Sequence, residues 1–449
     1  MFPRLRAALR RIQGDLAQVL EPNQIITACR DAGYRWRKRL LDPVTTIHLF
    51  VTQILNGNFA IARLLDFTDK DFSEAAYCKA RGRLPLQVLQ TLLQRVGTAL
   101  RPVADASERW HGHRTFNIDG SAFSMPDTPE LQKHFGQPGG QRRGCGFPVA
   151  HILTMFHAST GFLIQVLMAP MRTHDMAQVA QLHPELAEGD AVVGDRGFCS
   201  FVHLALLLAR KLHGLFRAHQ KQNIDFRPGR AYNQPGQRRT KGLPTSRWMK
   251  RLGVKDQLVE YFKPKDRPAW ISAEEFGGLP QSLVVRELRY QVTRPGARTR
   301  EVTLVTTFLD PQKYPAEDLA ELYGQRWAIE TNLRHLKQTM KMDVLHCETV
   351  EGVLKELTVF ALVYNLVRSV MYAAAARQGV DVDRISFADA LGWLAHTQPG
   401  SGLRDLKVNP YLPDRVEPRA VKRRPKAYKR LSQPRKVLRN RLRANGIAA

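Results

Sequence analysis

Acidic residues are scarce in this chain: 41 Asp and Glu face 68 Lys and Arg, leaving a net charge of +27. An imbalance of that size argues against an enzyme of small neutral metabolites and for a polyanionic partner, most naturally nucleic acid. Cysteine is scarce too, with five residues (Cys29, Cys78, Cys145, Cys199 and Cys347) and no CxxC pair. That pattern excludes a disulfide framework and a zinc finger and suits a reducing compartment. The first twenty residues, MFPRLRAALRRIQGDLAQVL, lack the apolar stretch of a secretory signal. Their Arg-rich amphipathic character imitates a transit peptide, but a helix facing DNA or protein is the expectation, and a cytoplasmic location follows. No phosphate-binding loop is present, so nucleotide hydrolysis is not supported. Long apolar runs are also missing except for Leu357–Ala376, which Asn365 and Arg368 interrupt. A buried helix of a soluble protein, with no membrane partner, is the reading of that stretch.

What is present is a globular composition, 43% hydrophobic and 24% charged, over 449 residues. At roughly 150 residues per domain this suggests about three domains. Residues 1–105 read as a helical N-terminal DNA-binding domain. Leu5, Leu9, Ile12, Leu16 and Val19 recur at helical spacing. Thr45–Leu55 and Phe59–Leu65 follow, separated by the turn residues Asn56-Gly57-Asn58. Ser73 can cap a helix Glu74–Arg81 that Gly82 stops, and this helix carries Lys79 and Arg81 as candidate DNA contacts. An ordinary helical bundle with solvated arginines is the alternative from these residues alone.

Residues 106–214 and 311–400 read as a mixed α/β core. Thr115–Phe123 alternates as a strand, Val149–His157 and Phe162–Met168 form a hairpin, and Asp190–Gly197 is a short apolar strand ending at Asp195. Phe201–Leu212 then looks helical. Residues 215–310 read as a β-rich insertion with strands Gln257–Phe262, Ser282–Val292 and Glu301–Leu309. Its basic lead-in places twelve Lys and Arg against Asp225 alone over residues 210–251. Helices Ala316–Met340 and Val350–Arg377 come next. In the C-terminal tail, 401–449, the stretch Arg415–Arg443 holds thirteen Lys and Arg against Glu417, the pattern of a solvated nucleic-acid arm.

The chemistry concentrates in Leu322–Lys337, LYGQRWAIETNLRHLK. At about 100° per residue, Tyr323, Arg326, Glu330, Arg334 and Lys337 share one stripe of a continuous helix, beside an apolar stripe of Leu322, Ile329, Leu333 and Leu336. One carboxylate among cations and a phenol suits a divalent metal held against a phosphodiester. A solvated helix with Arg326–Glu330 pairing at i, i+4 explains the same spacing equally well. His174-Asp175 reads as an exposed loop pairing and His346-Cys347 as packing.

Tyr323, Arg326, Glu330 and Lys337, in the pattern Tyr-x2-Arg-x3-Glu-x6-Lys, resemble the signature of the IS-four family of bacterial DDE transposases. The resemblance extends to Asn117-Ile118-Asp119-Gly120-Ser121, to Asp195-Arg196-Gly197-Phe198, to Arg326-Trp327 with Ile329-Glu330, to Tyr364–Arg368 and to Arg424–Tyr428. It implies an RNase-H-like catalytic core with a β-rich insertion before the last catalytic helix. It implies Asp119, Asp195 and Glu330 as catalytic acids and ligands of two Mg²⁺ ions, with Mn²⁺ as a substitute. Tyr323, Arg326 and Lys337 carry over as ligands of a terminal DNA phosphate; Arg334, on the same face, and Arg196, after the second aspartate, join them as expected DNA contacts. The implied partners are double-stranded DNA, both element ends and target, and a second copy of the chain in a paired-end complex. The implied setting is a bacterial cytoplasm, on the nucleoid when DNA is bound. Where some relatives place a base-stacking Trp before the last catalytic helix, this chain has Glu301-Val302-Thr303-Leu304; Trp248 and Trp270 read as core.

Two rivals remain at this stage. A catalytically idle, transposase-derived DNA-binding protein would lose one of the acids, and all three are present. A basic RNA-binding module would carry RRM or KH signatures, which are not found.

Overall fold

The computed structural model describes residues 14–292, 301–397, 402–410 and 431–445. Nine strands are described: β1 (Thr115–Ser124), β2 (Val149–His157), β3 (Leu163–Pro170), β4 (Ala191–Gly194), β5 (His213–Arg217), β6 (Arg247–Gly253), β7 (Asp256–Phe262), β8 (Ser282–Gln291) and β9 (Glu301–Thr306). They form one sheet in the order β3-β2-β1-β4-β5-β9-β8-β7-β6. β1, β2 and β3 are antiparallel, whereas β4 pairs in parallel with β1 and with β5. The short run Ala191-Val192-Val193-Gly194 is buried throughout, as expected of a parallel strand covered on both faces. This mixed sheet fits an RNase-H-like core. Among the described residues the stretch read as an insertion continues the same sheet: β9 pairs antiparallel with β5, and β8, β7 and β6 continue from it.

Thirteen α-helices are described: α1 (Gly14–Val19), α2 (Pro22–Asp31), α3 (Pro43–Leu55), α4 (Glu74–Arg83), α5 (Leu86–Asp105), α6 (Pro129–His134), α7 (Phe201–Ala209), α8 (Ala273–Gly278), α9 (Ala316–Gln325), α10 (Trp327–Arg334), α11 (Val350–Gln378), α12 (Phe387–His396) and α13 (Arg435–Ala444). Ser73 caps α4 by accepting from the Ala76 N–H at 3.2 Å. Gly82 does not stop that helix, which runs to Arg83. Ile61–Phe67 is a 3-10 turn rather than the expected α-helix. Leu5, Leu9 and Ile12 lie outside the described residues, as does Arg424–Tyr428.

The helices expected as a separate N-terminal domain keep a small cluster of their own, Leu49, Leu64, Phe72 and Tyr77, but share most of their buried surface with the rest of the chain. Leu16, Ile47, Phe50, Val88, Leu92 and Val96 belong to the same buried cluster as Val359, Phe360 and Val363 of α11 and Phe123 and Ile152 of the sheet. The reason is α11 itself, which is apolar on nearly every side and needs neighbours all round. By length and composition it could cross a membrane, yet 83% of its most apolar window is buried inside the protein. Its polar residues are satisfied there: Asn365 bonds both the N–H and the carbonyl of Leu163, and Arg368 donates to the Thr160 carbonyl. On the opposite sheet face Phe116, Ile118, Leu153 and Val192 pack with α7.

Candidate active site

Two neighbouring parallel strands bring the first two acids together. The last registered pair of β1 and β4 is Ile118 with Gly194, so Asp119 and Asp195 are the next residues along adjacent strands. They stand at the carboxyl end of β4, where open α/β sheets form their ligand crevices. The Asp119 carboxylate accepts from the Gly120 N–H at 2.9 Å, and its backbone carbonyl accepts from the Thr154 hydroxyl at 3.0 Å. Asp195 accepts from the Gly197 N–H at 2.7 Å and thereby caps the short turn Arg196–Phe198.

Glu330 comes from the helix laid across this face. Ile329 and Leu333 anchor α10 in the large core, which leaves Glu330 outward and 45% exposed at its side chain. The helix expected over Ala316–Met340 is not continuous. Arg326 separates α9 from α10: its N–H bonds the Tyr323 carbonyl, and the Ile329 N–H bonds the Arg326 carbonyl. These three-residue closures tighten the turn, and a π-helical turn over His335–Thr339 then widens it. Such irregular turns re-aim side chains away from their ideal wheel positions.

Arg326 sits at the first of these turns. Its guanidinium lies 3.7 Å from Asp119 Oδ2 and 3.6 Å from Glu330 Oε1, with only 9% of the side chain exposed. It also lies over the Tyr323 ring, 5.5 Å from the centroid, and its buried Nε has no hydrogen-bond partner among the described residues. Burial pushes the Asp119 carboxyl up to about 6; the Arg326 charge opposes that rise, and the Asp195 and Glu330 charges add to it. Burial also raises the Tyr323 phenol, against the charges of Arg326 and Arg217.

Lys337 turns inward. Its ammonium donates to Ser121 Oγ at 3.1 Å and to the Ala122 carbonyl at 2.7 Å, tying the π-helical turn to β1 just past Asp119. Burial lowers its pKa, opposed by Asp343. Arg334 and Arg196 are exposed, the first on the Glu330 helix and the second beside Asp195. Lys79 is exposed on α4. Arg81 departs from the expected free DNA contact: it donates to Gln53 Oε1 at 3.2 Å and Cys347 Sγ at 2.9 Å and lies 3.8 Å over the Phe50 ring. The physical reason is that the tip of α4 packs under the loop before α11, where Lys355 also caps the Arg81 and Gly82 carbonyls.

Arg217 was not legible as a site residue. It ends β5, next to β4 in the sheet, and strand-end position was the only available signal. Asp175 pairs with His151 rather than remaining in a surface loop with His174.

The site offers hard oxygen donors in pairs, suited to divalent cations such as Mg²⁺. Among the described residues no group of three His, Cys, Asp or Glu side chains is arranged around a single ion position. Arg326 occupies the space between two of the acids, so the donor set fits a cation and here faces a guanidinium.

A profile of the Transposase DDE domain matches residues 110–366, more than half of the chain, and the chain belongs to that family. It is similar to the transposase InsG for insertion sequence element IS4 of Escherichia coli (strain K12), with 26% identity over 455 aligned residues and 94% of each chain covered. That similarity places it with the IS4-type transposases. The putative transposase InsZ of the same organism is 22% identical over 129 residues, 28% of this chain and 43% of that one. A solved piggyBac transposase synaptic complex with hairpin DNA covers 88% of this chain and 77% of its own at 12% identity and a TM-score of 0.41.

Proposed function

We propose that this transposase binds the terminal inverted repeats of its own element, cleaves at the ends and joins the freed 3′-OH to target DNA. Water attacks a phosphodiester in the first step and its P–O3′ bond breaks to leave a 3′-OH; this attacks a target phosphodiester in the second, and the target strand's own 3′-oxygen leaves. Asp119, Asp195 and Glu330 are the catalytic acids and would hold two Mg²⁺ ions, or Mn²⁺ in their place. When bound, such ions supply Lewis acidity to the attacking and leaving oxygens. The observation that carries the reading is the convergence of Asp119 and Glu330 on one guanidinium, with Asp195 on the adjacent strand.

The remaining roles belong to this chain's own groups. Arg326 offsets part of the charge of Asp119 and Glu330 before substrate arrives and can take a phosphate oxygen. The Tyr323 phenol beside it is a neutral donor to the same phosphate. Lys337 holds β1 in register beneath the acids and keeps a third N–H for a phosphate. Arg334 and Arg196 contact flanking DNA from the rim, Lys79 contacts DNA from α4, and two copies of the chain pair the element ends.

The test is Mg²⁺-dependent cleavage of an end-containing duplex by Asp119→Asn, Asp195→Asn and Glu330→Gln. Each should lose cleavage and keep end binding. Cleavage at the parent rate by any one removes that residue from the site. A parent protein that binds ends without cleaving would instead be a transposase-derived DNA-binding protein.

A further inference from the structure

Side chains along β1 alternate between two sheet faces. Phe123, in the helix-covered core, marks the side taken by Asn117, Asp119 and Ser121, whereas Phe116 and Ile118 pack on the other. Gly120 therefore points away from the acids. The space there is taken: a Cβ at position 120 would lie 2.5 Å from Asp175 Oδ2 and 2.9 Å from Asp175 Cγ. Any side chain at position 120 would thus have to displace the carboxylate seated behind it.

Asp175 is held in that seat from two sides. Its Oδ1 bonds His151 Nδ1 at 2.9 Å, and His151 stands on β2 opposite Ala122. Its backbone closes a tight turn in which the Gln178 N–H bonds the Asp175 carbonyl at 3.0 Å, while the His174 ring accepts from the Met176 N–H at 3.2 Å. Gly120 in turn donates its N–H to the Asp119 carboxylate. A contact chain therefore runs from His151 through Asp175 and Gly120 to the acid, across the thickness of the sheet. Both members remain partly exposed, at 28% and 26% of their side chains, so the pair is no part of the deep apolar core.

We infer that the Asp175–His151 pair is a positioning device for Asp119, fixing the peptide that aims its carboxylate at the metal position. This rests on the assignment of Asp119 as a metal-binding acid. Outer partners that orient ligands in this way act on affinity and rate more than on folding.

The experiment measures Mn²⁺ binding to the full-length Asp175→Ala and Asp175→Asn variants from the paramagnetic signal of free Mn²⁺, beside melting temperature, duplex binding and cleavage. Asp175→Ala should bind Mn²⁺ about tenfold more weakly and cleave correspondingly slower, while Asp175→Asn, which keeps an oxygen for His151, stays within about threefold of the parent. Melting temperature and low-salt duplex binding should not change. If Asp175→Ala does not fold, His151→Asn, which frees Asp175 without removing it, should still weaken Mn²⁺ binding. Parent-like Mn²⁺ affinity in the folded variant, or equal losses for the Ala and Asn replacements, overturns the inference. The assignment of Asp119 is tested separately: if Asp119→Asn binds Mn²⁺ and cleaves as the parent does, that assignment fails whatever Asp175 does.

Discussion

Arg326 lies 3.7 Å from Asp119, an ion pair between the helical motif near the end of the family match and the first long strand of the sheet. The same guanidinium is 3.6 Å from Glu330, so one cation spans two of the three acids. A residue read from sequence as a phosphate ligand is thus also the internal counter-charge of the site.

This double engagement sets the first expectation. Arg326 is the main charge opposing the rise of the Asp119 carboxyl to about 6. Arg326→Ala should therefore raise that value further, and the pH at which Mn²⁺ binding sets in should move up with it. Single-turnover cleavage should fall on the order of 10²-fold at neutral pH. Arg326→Lys, which keeps charge without the fork, should recover part of both. An unchanged pH profile in Arg326→Ala would mean that the ion pair has no influence on Asp119.

Asp119 also makes a prediction about stability without metal. Its carboxyl titrates at about 6 in the folded protein, against an ordinary 3.8. The native state then binds that proton more tightly than the unfolded chain does, so the contribution is complete below the ordinary value and is lost as pH rises through about 6. Asp119→Asn should consequently be more stable than the metal-free parent at neutral pH, by about 1 to 3 kcal/mol. The gap should shrink toward the ordinary carboxyl value. Urea melts across that window provide the check, and equal stabilities at neutral pH would refute the raised value.

The N-terminal helices separate a surface cation from a structural one. Lys79 is exposed, and Lys79→Ala should leave stability within about 0.5 kcal/mol of the parent. If Lys79 meets a phosphate, the salt dependence of DNA binding should lose about one unit of slope. Arg81→Ala removes the partner of Gln53 and Cys347 and should cost about 2 kcal/mol or more. Deleting residues 1–105 should unfold the rest, because those helices share their core with α11. A soluble, cooperatively melting truncation would show that the shared core is dispensable.

Much of this was legible in the sequence because the signals were local. Val149–His157, read as one strand of a hairpin, was bounded correctly, and Ser73 was recognised as a cap. The run Asp190–Gly197 gave β4 and put Asp195 at its end, since a short apolar stretch ending in Asp-Arg-Gly has few other readings. The failures were tertiary. An ideal helical wheel cannot foresee the tight turn at Arg326 or the π-helical turn at His335–Thr339, which depend on what the helix packs against. Nor can local pattern show that Asp175 finds His151 and Gly120, or that Arg81 finds Cys347, because those partners are fixed only when the sheet and α11 assemble.

Lys337 supplies the last prediction, because its position allows two roles that measurements can separate. Its ammonium is bonded to Ser121 Oγ and the Ala122 carbonyl, so Lys337→Ala should destabilise the protein by about 1 to 2 kcal/mol. Ser121→Ala removes only one of those acceptors and should cost less than that. If Lys337 serves β1 alone, its two effects should scale together: the Lys337→Ala and Ser121→Ala variants would lose cleavage in proportion to their lost stability, and both would pair element ends normally. If it also holds a phosphate, Lys337→Ala should weaken the paired-end complex well beyond Ser121→Ala, because only the lysine carries charge to the DNA. Lys337→Arg should then recover end pairing more fully than stability, since guanidinium supplies the charge but does not reproduce the two short bonds to β1. We expect the second pattern. Gel-shift measurement of paired ends beside urea melts of all three variants decides it, and normal end pairing by Lys337→Ala would confine the residue to the scaffold.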